Sequence, residues 1–261
     1  LEELACHLPL LSHALALARK RHWNSLEFRD VTPWLPPETS APSVEFFHHT
    51  IDLADGEEAA LARCDSSVRR SVRKAQGAGL QVVEANDIPA VQAYFQLHSL
   101  TRQRHGLPPQ PYDFFLKLHQ HLLSPGLGSI LLVLLNQVPI AGAVFLFWRR
   151  RALYKFGASD LQHQALRPNN LLFRDALRLC LRRQCSTLDL GRTSLEHDGL
   201  RRFKLGWGGH ERRLAYLRYH VPSHQVILTP DRTSGWHVAL FRLLPRPLAS
   251  LVGRIGYRFA A

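Results

Sequence analysis

The sequence predicts an α/β protein whose central sheet is covered on both faces by helices. Three observations carry that reading. Ser129–Leu135 and Ile140–Trp148 are nearly continuous apolar runs, the pattern of strands buried on both faces. Leu171–Arg183 has helical spacing, with Leu172, Ala176 and Leu179 on one face and Phe173, Leu177 and Cys180 beside them. Ala152–Ser159, that helix and Ser186–Leu190 then follow one another as strand, helix and strand.

The other elements follow in chain order. Leu4, Leu8, Leu11, Leu15 and Ala18 recur at helical spacing, so residues 1–21 read as an amphipathic helix, kinked or restarted at Pro9. Trp23–Arg29 reads as a strand. Thr32–Pro42 has four prolines and little periodicity and is the best linker candidate. Val44–Leu53 is a strand. Glu57–Arg63 begins a helix that Ser66–Gln76 continues or restarts, and Gly77–Gly79 ends it. Leu80–Glu84 is a strand. Asn86-Asp87 followed by Pro89 is a helix start, with the helix running to about Arg104. Gly106–Pro109 stops it, and Tyr112–Leu123 forms the next helix with Phe115, Leu118 and Leu122 inward. Asn136–Pro139 joins the two apolar strands as a hairpin, and Arg149–Arg151 turns into Ala152–Ser159. Gln162–Asn170 reads as a polar loop, Gly191–Ser194 as a turn and Gly199–Gly209 as a basic loop. Glu211–Val221 is a final strand. The tail Ser234–Phe259 combines Trp236 and regularly spaced leucines with Arg242, Arg246, Arg254 and Arg258. That composition suits a membrane surface, or a helix packed on the domain with its arginines snorkelling outward.

A length of 261 residues allows one large domain or two small ones, and 46% hydrophobic content is enough for a packed core. A chain that begins at Leu1 and contains no Met predicts a fragment or processed product. The net charge of +12 favours anionic partners such as RNA, phosphosugars, nucleotide cofactors or an anionic membrane face, unless it reflects a generally basic proteome. Cys6, Cys64, Cys180 and Cys185 lack both zinc spacing and the look of a disulfide framework, so reduced, buried thiols in a cytoplasmic protein are expected. The fifteen histidines form no H-E-x-x-H pattern, and no metal site is predicted. No secretory signal is visible. The longest apolar run, Ile140–Trp148, falls well short of the ~18 residues of a spanning helix.

Two basic features stand out. Arg69, Arg70, Arg73 and Lys74 lie along one helical face. They form either a phosphate-gripping surface, for which guanidinium forks are suited, or a solvated face. His98, Thr101, Arg102 and His105 form a polar stripe that lines a cleft or, for the histidines, faces water. A helix N-terminus beside strand ends, at Asn169-Asn170, is an anion and carbonyl site. The Arg192 and Lys204 segments, both read as basic loops, converge on it.

The ordered segments LYKFGASD (153–160), RPNNLLFRDALRLCLRR (167–183), LDLGRTS (188–194) and GLRRFKLGWGG (199–209) together resemble the FemAB-related branch of the GNAT acyltransferase superfamily. SSVRRSVRKAQGAGLQV (66–82) and LHSLTRQRHGLP (97–108) extend the likeness, which covers roughly residues 44–221. This branch includes FemABX aminoacyltransferases and FemAB-like proteins of exopolysaccharide and exosortase systems. The resemblance implies a GNAT fold with a central mixed sheet, divided as a remnant of a preceding GNAT-like lobe with its linker (1–42), an acyltransferase domain (43–232) and a basic amphipathic tail (233–261). It implies an enzyme that forms an amide bond on an amine of a cell-envelope or exopolysaccharide precursor, with no permanently bound cofactor. Lys204 after Phe203 matches the family's Phe-Lys motif and would stabilise developing negative charge or grip a donor phosphate. Asp189, Gly191 and Arg192 match its D-F/L-G-R turn. Asp189 would orient the amine or fix Arg192, and Arg192 would hold an anionic group. Asn169 and Asn170 would offer amide contacts, Tyr154 and Lys155 would sit near the cleft, and Trp207 would bind substrate or belong to the core. Arg69, Arg70, Arg73, Lys74, Arg102 and His105 complete the substrate-binding set.

Where the GNAT acetyl-CoA loop is glycine-rich, Leu161–Asn170 has no glycine. The donor thus stays open among aminoacyl-tRNA, acyl-CoA and acyl carrier protein. The expected partners are that donor, tRNA among the candidates, an anionic envelope precursor, the absent N-terminal lobe, and the inner membrane face through 234–259. The expected location is cytoplasmic. A GNAT transferase using acyl-CoA or acyl carrier protein on a small amine, and a catalytically silent GNAT-fold binding module, are the alternatives.

Overall fold

The computed structural model describes residues 2–30, 42–228 and 252–253. The proposed linker, apart from Pro42, and the basic tail, apart from Val252 and Gly253, lie outside the described residues. The chain forms two compact units. One is made of the described parts of Leu1–His49, Arg192–Arg202 and Glu211–Thr233, the other of those of Thr50–Gly191, Phe203–His210 and Ser234–Ala261.

In the first unit, helix α1 (Glu2–Lys20) is a single helix through Pro9. Strand β1 (Ser25–Arg29) pairs antiparallel with β8 (His210–His220), from Ser25↔His220 to Arg29↔Tyr216. The short β9 (Gln225–Val226) also pairs antiparallel with β8, and β2 (Val44–Asp52) lies on the other side of β8 from β1. His49 on β2 is wholly buried, with Nε2 2.9 Å from the Glu211 carboxylate. Glu211 accepts two hydrogen bonds from Arg201, each 2.7 Å, and the Arg201 guanidinium lies 4.0 Å over the Phe47 ring. Hydrogen bonding by Arg201 holds the Glu211 carboxyl below the usual range.

In the second unit the strand order is β7-β6-β5-β4-β3. These are β3 (Gln81–Glu84), β4 (Gly128–Leu135), β5 (Val138–Trp148), β6 (Arg151–Ser159) and β7 (Thr187–Ser194). All neighbours are antiparallel except β6 and β7, which are parallel, so the sheet is mixed. The period-2 alternation of a strand divides β4 between two cores. Leu131 and Val133 point to one, with Phe145, Leu172, Ala176 and Trp207, beneath helices α2 (Gly56–Ala62), α3 (Ser66–Gly77) and α6 (Pro168–Arg182). Ile130 and Leu132 point to the other, with Val91, Tyr94, Phe115 and Val144, beneath α4 (Ile88–Arg104) and α5 (Tyr112–Leu118). The two apolar runs are therefore strands covered on both faces, as their composition dictates.

Several boundaries differ from the sequence expectation. A second cap at Asp65 separates α2 from α3, so the helix restarts. The β4–β5 turn is two residues, Asn136-Gln137, both left-handed, a conformation whose twist suits a tight hairpin. Pro139 stands beside a bulge in β5, one of the places where a sheet tolerates proline. The helix at Tyr112 gives way at Leu118 to a π turn, His119–Leu123. Gly191–Ser194 continues β7 and is not a turn. Gly199–Gly209 is not a loop: helix α7 (Asp198–Gly206) occupies most of it, with Lys204 and Gly206 buried and Leu200 and Leu205 exposed.

Candidate active site

The parallel pairing of β6 and β7 stops early. It covers Arg151↔Thr187, Ala152↔Leu188 and Leu153↔Asp189, although β6 continues to Ser159. Past Leu153 the two strands part and leave a gap at their carboxyl ends, where open sheets bind ligands. On its other side β6 is bulged: Val144 pairs with Phe156 and Phe145 with Tyr154, so Lys155 is the extra residue. A bulge re-aims the side chains around it and frees backbone groups from the ladder.

Tyr154 lies at this point. Its ring is 5.6 Å from that of Phe145 and 4.9 Å from that of Phe173, and burial pushes its phenol up to about 12. Phe173 on α6 also contacts Phe203 (5.0 Å, edge-on) and Trp207 (5.7 Å). One aromatic cluster thus joins β6, α6 and α7. A side chain on Gly157 would overlap the Tyr154 hydroxyl and ring edge. Replacing Gly157 with Ala should therefore displace Tyr154, lowering stability by about 1–3 kcal/mol, the range for overpacking a filled site. A melting temperature equal to wild type would contradict this packing.

Lys204 on α7 is 2% exposed, and its Nζ donates to the Gly191 carbonyl at 2.9 Å. The Gly191 N–H donates to Asp189 Oδ1 at 2.7 Å. Gly191 has φ +68°, a conformation easy for glycine, and its N–H and C=O are each held by a side chain, the two of opposite charge. Burial lowers the Lys204 ammonium to about 8, partly offset by the Asp189 carboxylate. A buried amine with so strongly lowered a pKa beside a sheet opening has the marks of a functional group.

Asn169 and Asn170 lie in the first turn of α6, half-buried, rather than in the loop before it. The glycine-free stretch ahead forms a 3-10 turn, Leu161–Leu166, capped by Asp160, and Arg167 takes the left-handed conformation at φ +63°. Arg192 belongs to the first unit, where its guanidinium lies 4.5 Å over Phe46 and 5.3 Å over Tyr216. The structure thus brings Tyr154, Asp189, Phe203, Lys204 and Trp207 into one unit around Phe173 and Gly191. Trp207 is wholly buried.

The basic run on α3 does not act as one face. Arg69 and Arg73 line a cavity of about 310 Å³ between α3 and α6, opposite Arg174 and Arg178. Arg70 bonds Ser66 at 3.1 Å and, with Lys74, is not part of the cavity. The sequence reading missed Arg174 and Arg178, whose i, i+4 spacing on α6 was the available signal.

The polar stripe of α4 is mostly internal, against the expectation that its histidines face water. His98 is 4% exposed and its Nε2 meets Gln110 at 2.6 Å. Thr101 Oγ1 accepts from the Ser159 N–H at 3.0 Å, pinning the end of β6, and Arg102 Nε donates to the Pro108 carbonyl. Only His105 is exposed. The face is polar because its groups find partners inside the fold. Burial lowers the His98 imidazole to about 4. The folded state keeps His98 neutral, so as pH drops from about 6.5 to about 4 the unfolded chain binds the extra proton and stability is lost. A His98→Gln variant should show a shallower loss of melting temperature over that window; equal slopes would contradict this.

Among the described residues no helix is long and apolar enough to cross a membrane, and no group of three or more metal-ligating side chains occurs. Residues 62–211, more than half of the chain, match the acetyltransferase (GNAT) domain family. No curated protein matches. Among solved structures the chain is similar to that titled "Crystal structure of FemX", with 15% identity and a TM-score of 0.59 over 92% of this chain and 71% of that one. It is also similar to a tandem GNAT protein from the clavulanic acid biosynthesis pathway, with 13% identity and a TM-score of 0.51 over 82% of this chain and 69% of that one. At these identities the structures support the fold alone. The mixed sheet parted between β6 and β7, the family match and the neighbours agree: the chain belongs to the acetyltransferase (GNAT) domain family and is a GNAT-type N-acyltransferase.

Proposed function

We propose that this protein forms an amide bond on an amine of a cell-envelope or exopolysaccharide precursor, taking the acyl or aminoacyl group from a carrier held at the gap between β6 and β7. The observation that carries the reading is Lys204: a buried ammonium bonded to the carbonyl of Gly191, which stands two residues past the last β6–β7 pair, where a donor carbonyl would lie. The acceptor amine attacks that carbonyl directly. The C–N bond forms, the carbonyl oxygen gains negative charge, and the Lys204 ammonium stabilises it. The bond from the acyl carbon to its carrier then breaks, and the carrier leaves with the proton released by the amine. Asp189, fixed by the Gly191 N–H, orients the amine. Tyr154, Asn169 and Asn170 line the donor side, and the freed backbone at the Lys155 bulge offers further contacts.

An aminoacyl-tRNA donor is favoured by the glycine-free segment before α6, by the net charge of +12 and by the FemX-like fold. An acyl-CoA donor is the second reading, favoured by the GNAT family match. In either case the reaction would lie on the cytoplasmic side of the membrane, where such donors are available. Labelled transfer from aminoacyl-tRNA, acyl-CoA and acyl carrier protein to an amine-bearing envelope precursor tests the reading. Label appearing in an amide with aminoacyl-tRNA supports it, and label from acyl-CoA alone supports the second. Binding without transfer from any donor contradicts both.

A further inference from the structure

The cavity between α3 and α6 is separate from the gap between β6 and β7. Four guanidiniums rim it: Arg69 and Arg73 from α3, Arg174 and Arg178 from α6. Two carboxylates lie nearby and are already engaged, Glu57 with Arg178 at 2.6 Å and Asp175 with Arg174 at 2.9 Å. Arg69 spends one amino group on the Cys64 carbonyl at 2.7 Å. Arg73 has neither hydrogen bond nor ion pair among the described residues. Positive charge therefore exceeds negative at a concave site, which calls for an anion with several oxygens.

The floor sets the other half of the ligand. Leu61, Val68 and Val72 are aliphatic, and Trp207 contributes from a wholly buried position. No exposed aromatic platform is offered to a nucleobase. The lining acids and amides that would read a base's edge are missing as well, since arginines only donate. A hydrocarbon chain suits such a surface, and about 310 Å³ is enough for a small organic ligand.

We infer that this cavity is a binding site for a phosphate ester carried on a hydrocarbon chain, its phosphate held by the four arginines and its chain resting on Leu61, Val68 and Val72. Phe173 and Arg174 are neighbours on α6, one facing the aromatic cluster of the candidate active site and the other this cavity. The inference does not depend on the donor or acceptor proposed above.

Isothermal titration of the full chain with hexyl phosphate, inorganic phosphate, hexanol and uridine monophosphate tests it. Hexyl phosphate should bind at least tenfold tighter than each of the other three. Arg73→Gln should weaken it at least tenfold, whereas Arg70→Gln, one residue along α3 but outside the cavity, should change it less than twofold. Thermal melts of both variants establish that they fold. Equal affinity for hexyl and inorganic phosphate overturns the apolar floor. Tighter binding of uridine monophosphate overturns the ligand class. Equal losses in the two variants reduce the site to a diffuse basic surface and overturn it.

Discussion

Replacing Lys204 with methionine lowers the rate of acyl transfer by about 10²–10³-fold, the scale seen when one preorganised stabiliser of a developing oxyanion is removed. The fold survives the change. Burial brings the lysine from 10.5 to about 8, so keeping it charged costs the fold roughly 3 kcal/mol. Methionine removes that penalty and fills similar space. It also leaves the Gly191 carbonyl without its donor, a loss of about 1–3 kcal/mol. The two effects oppose each other, and the melting temperature stays within a few degrees of wild type. The pH dependence carries the same signature. The folded lysine has the lower pKa, so between pH about 8 and 10.5 the unfolded chain binds more protons and wild-type stability rises with pH. That rise is absent in Lys204→Met. Thermal melts across this window, paired with a transfer assay at pH 7, check both halves. Loss of folding together with loss of rate would make Lys204 a structural clamp on β7.

Replacing Trp207 with alanine has the converse effect, a stability loss of about 3–5 kcal/mol measured by denaturant unfolding. Trp207 lies three residues from Lys204 but is 0% exposed and packs on Phe173 within the main core. Small domains are stable by roughly 5–15 kcal/mol, so the variant retains only a fraction of its margin. A loss below about 1 kcal/mol would mean the indole is not part of the packed core. One segment thus carries two roles, a cation whose neighbours tolerate its removal and an indole whose neighbours do not.

The sequence disclosed the elements whose physics is local. The apolar runs of β4 and β5 allow no other reading than strands buried on both faces, and Asp87 with Pro89 marks the start of α4 because one caps and the other suits the first turn. Errors arose where tertiary contacts outweigh composition. Gly199–Gly209 reads as a loop for its glycines and charges, yet α7 occupies most of it with Lys204 turned inward, and an inward lysine is invisible to a hydrophobic pattern. His98 reads as facing water or a cleft and Arg102 as a substrate ligand, because polarity alone cannot reveal partners at Gln110 and Pro108. The roles of Asp189 and Lys204 rested on motif resemblance. The structure adds why they belong together, since one accepts from the Gly191 N–H and the other donates to the Gly191 carbonyl. The arginine cavity was half-legible: α3 announced itself as a basic run, whereas α6 was read only for its apolar face.

The dependence of kcat/KM on pH, with the donor that proves active, tests the role of Lys204 most directly. Deprotonation of the acceptor amine raises the rate on the acid side, and loss of the Lys204 proton lowers it above pH about 8. The residual activity of Lys204→Met should then show the acid limb without the alkaline fall. An alkaline fall of the same midpoint in that variant, or a wild-type rate that keeps rising through pH 10, would contradict an ammonium at the opening between β6 and β7 as the group that stabilises the transition state.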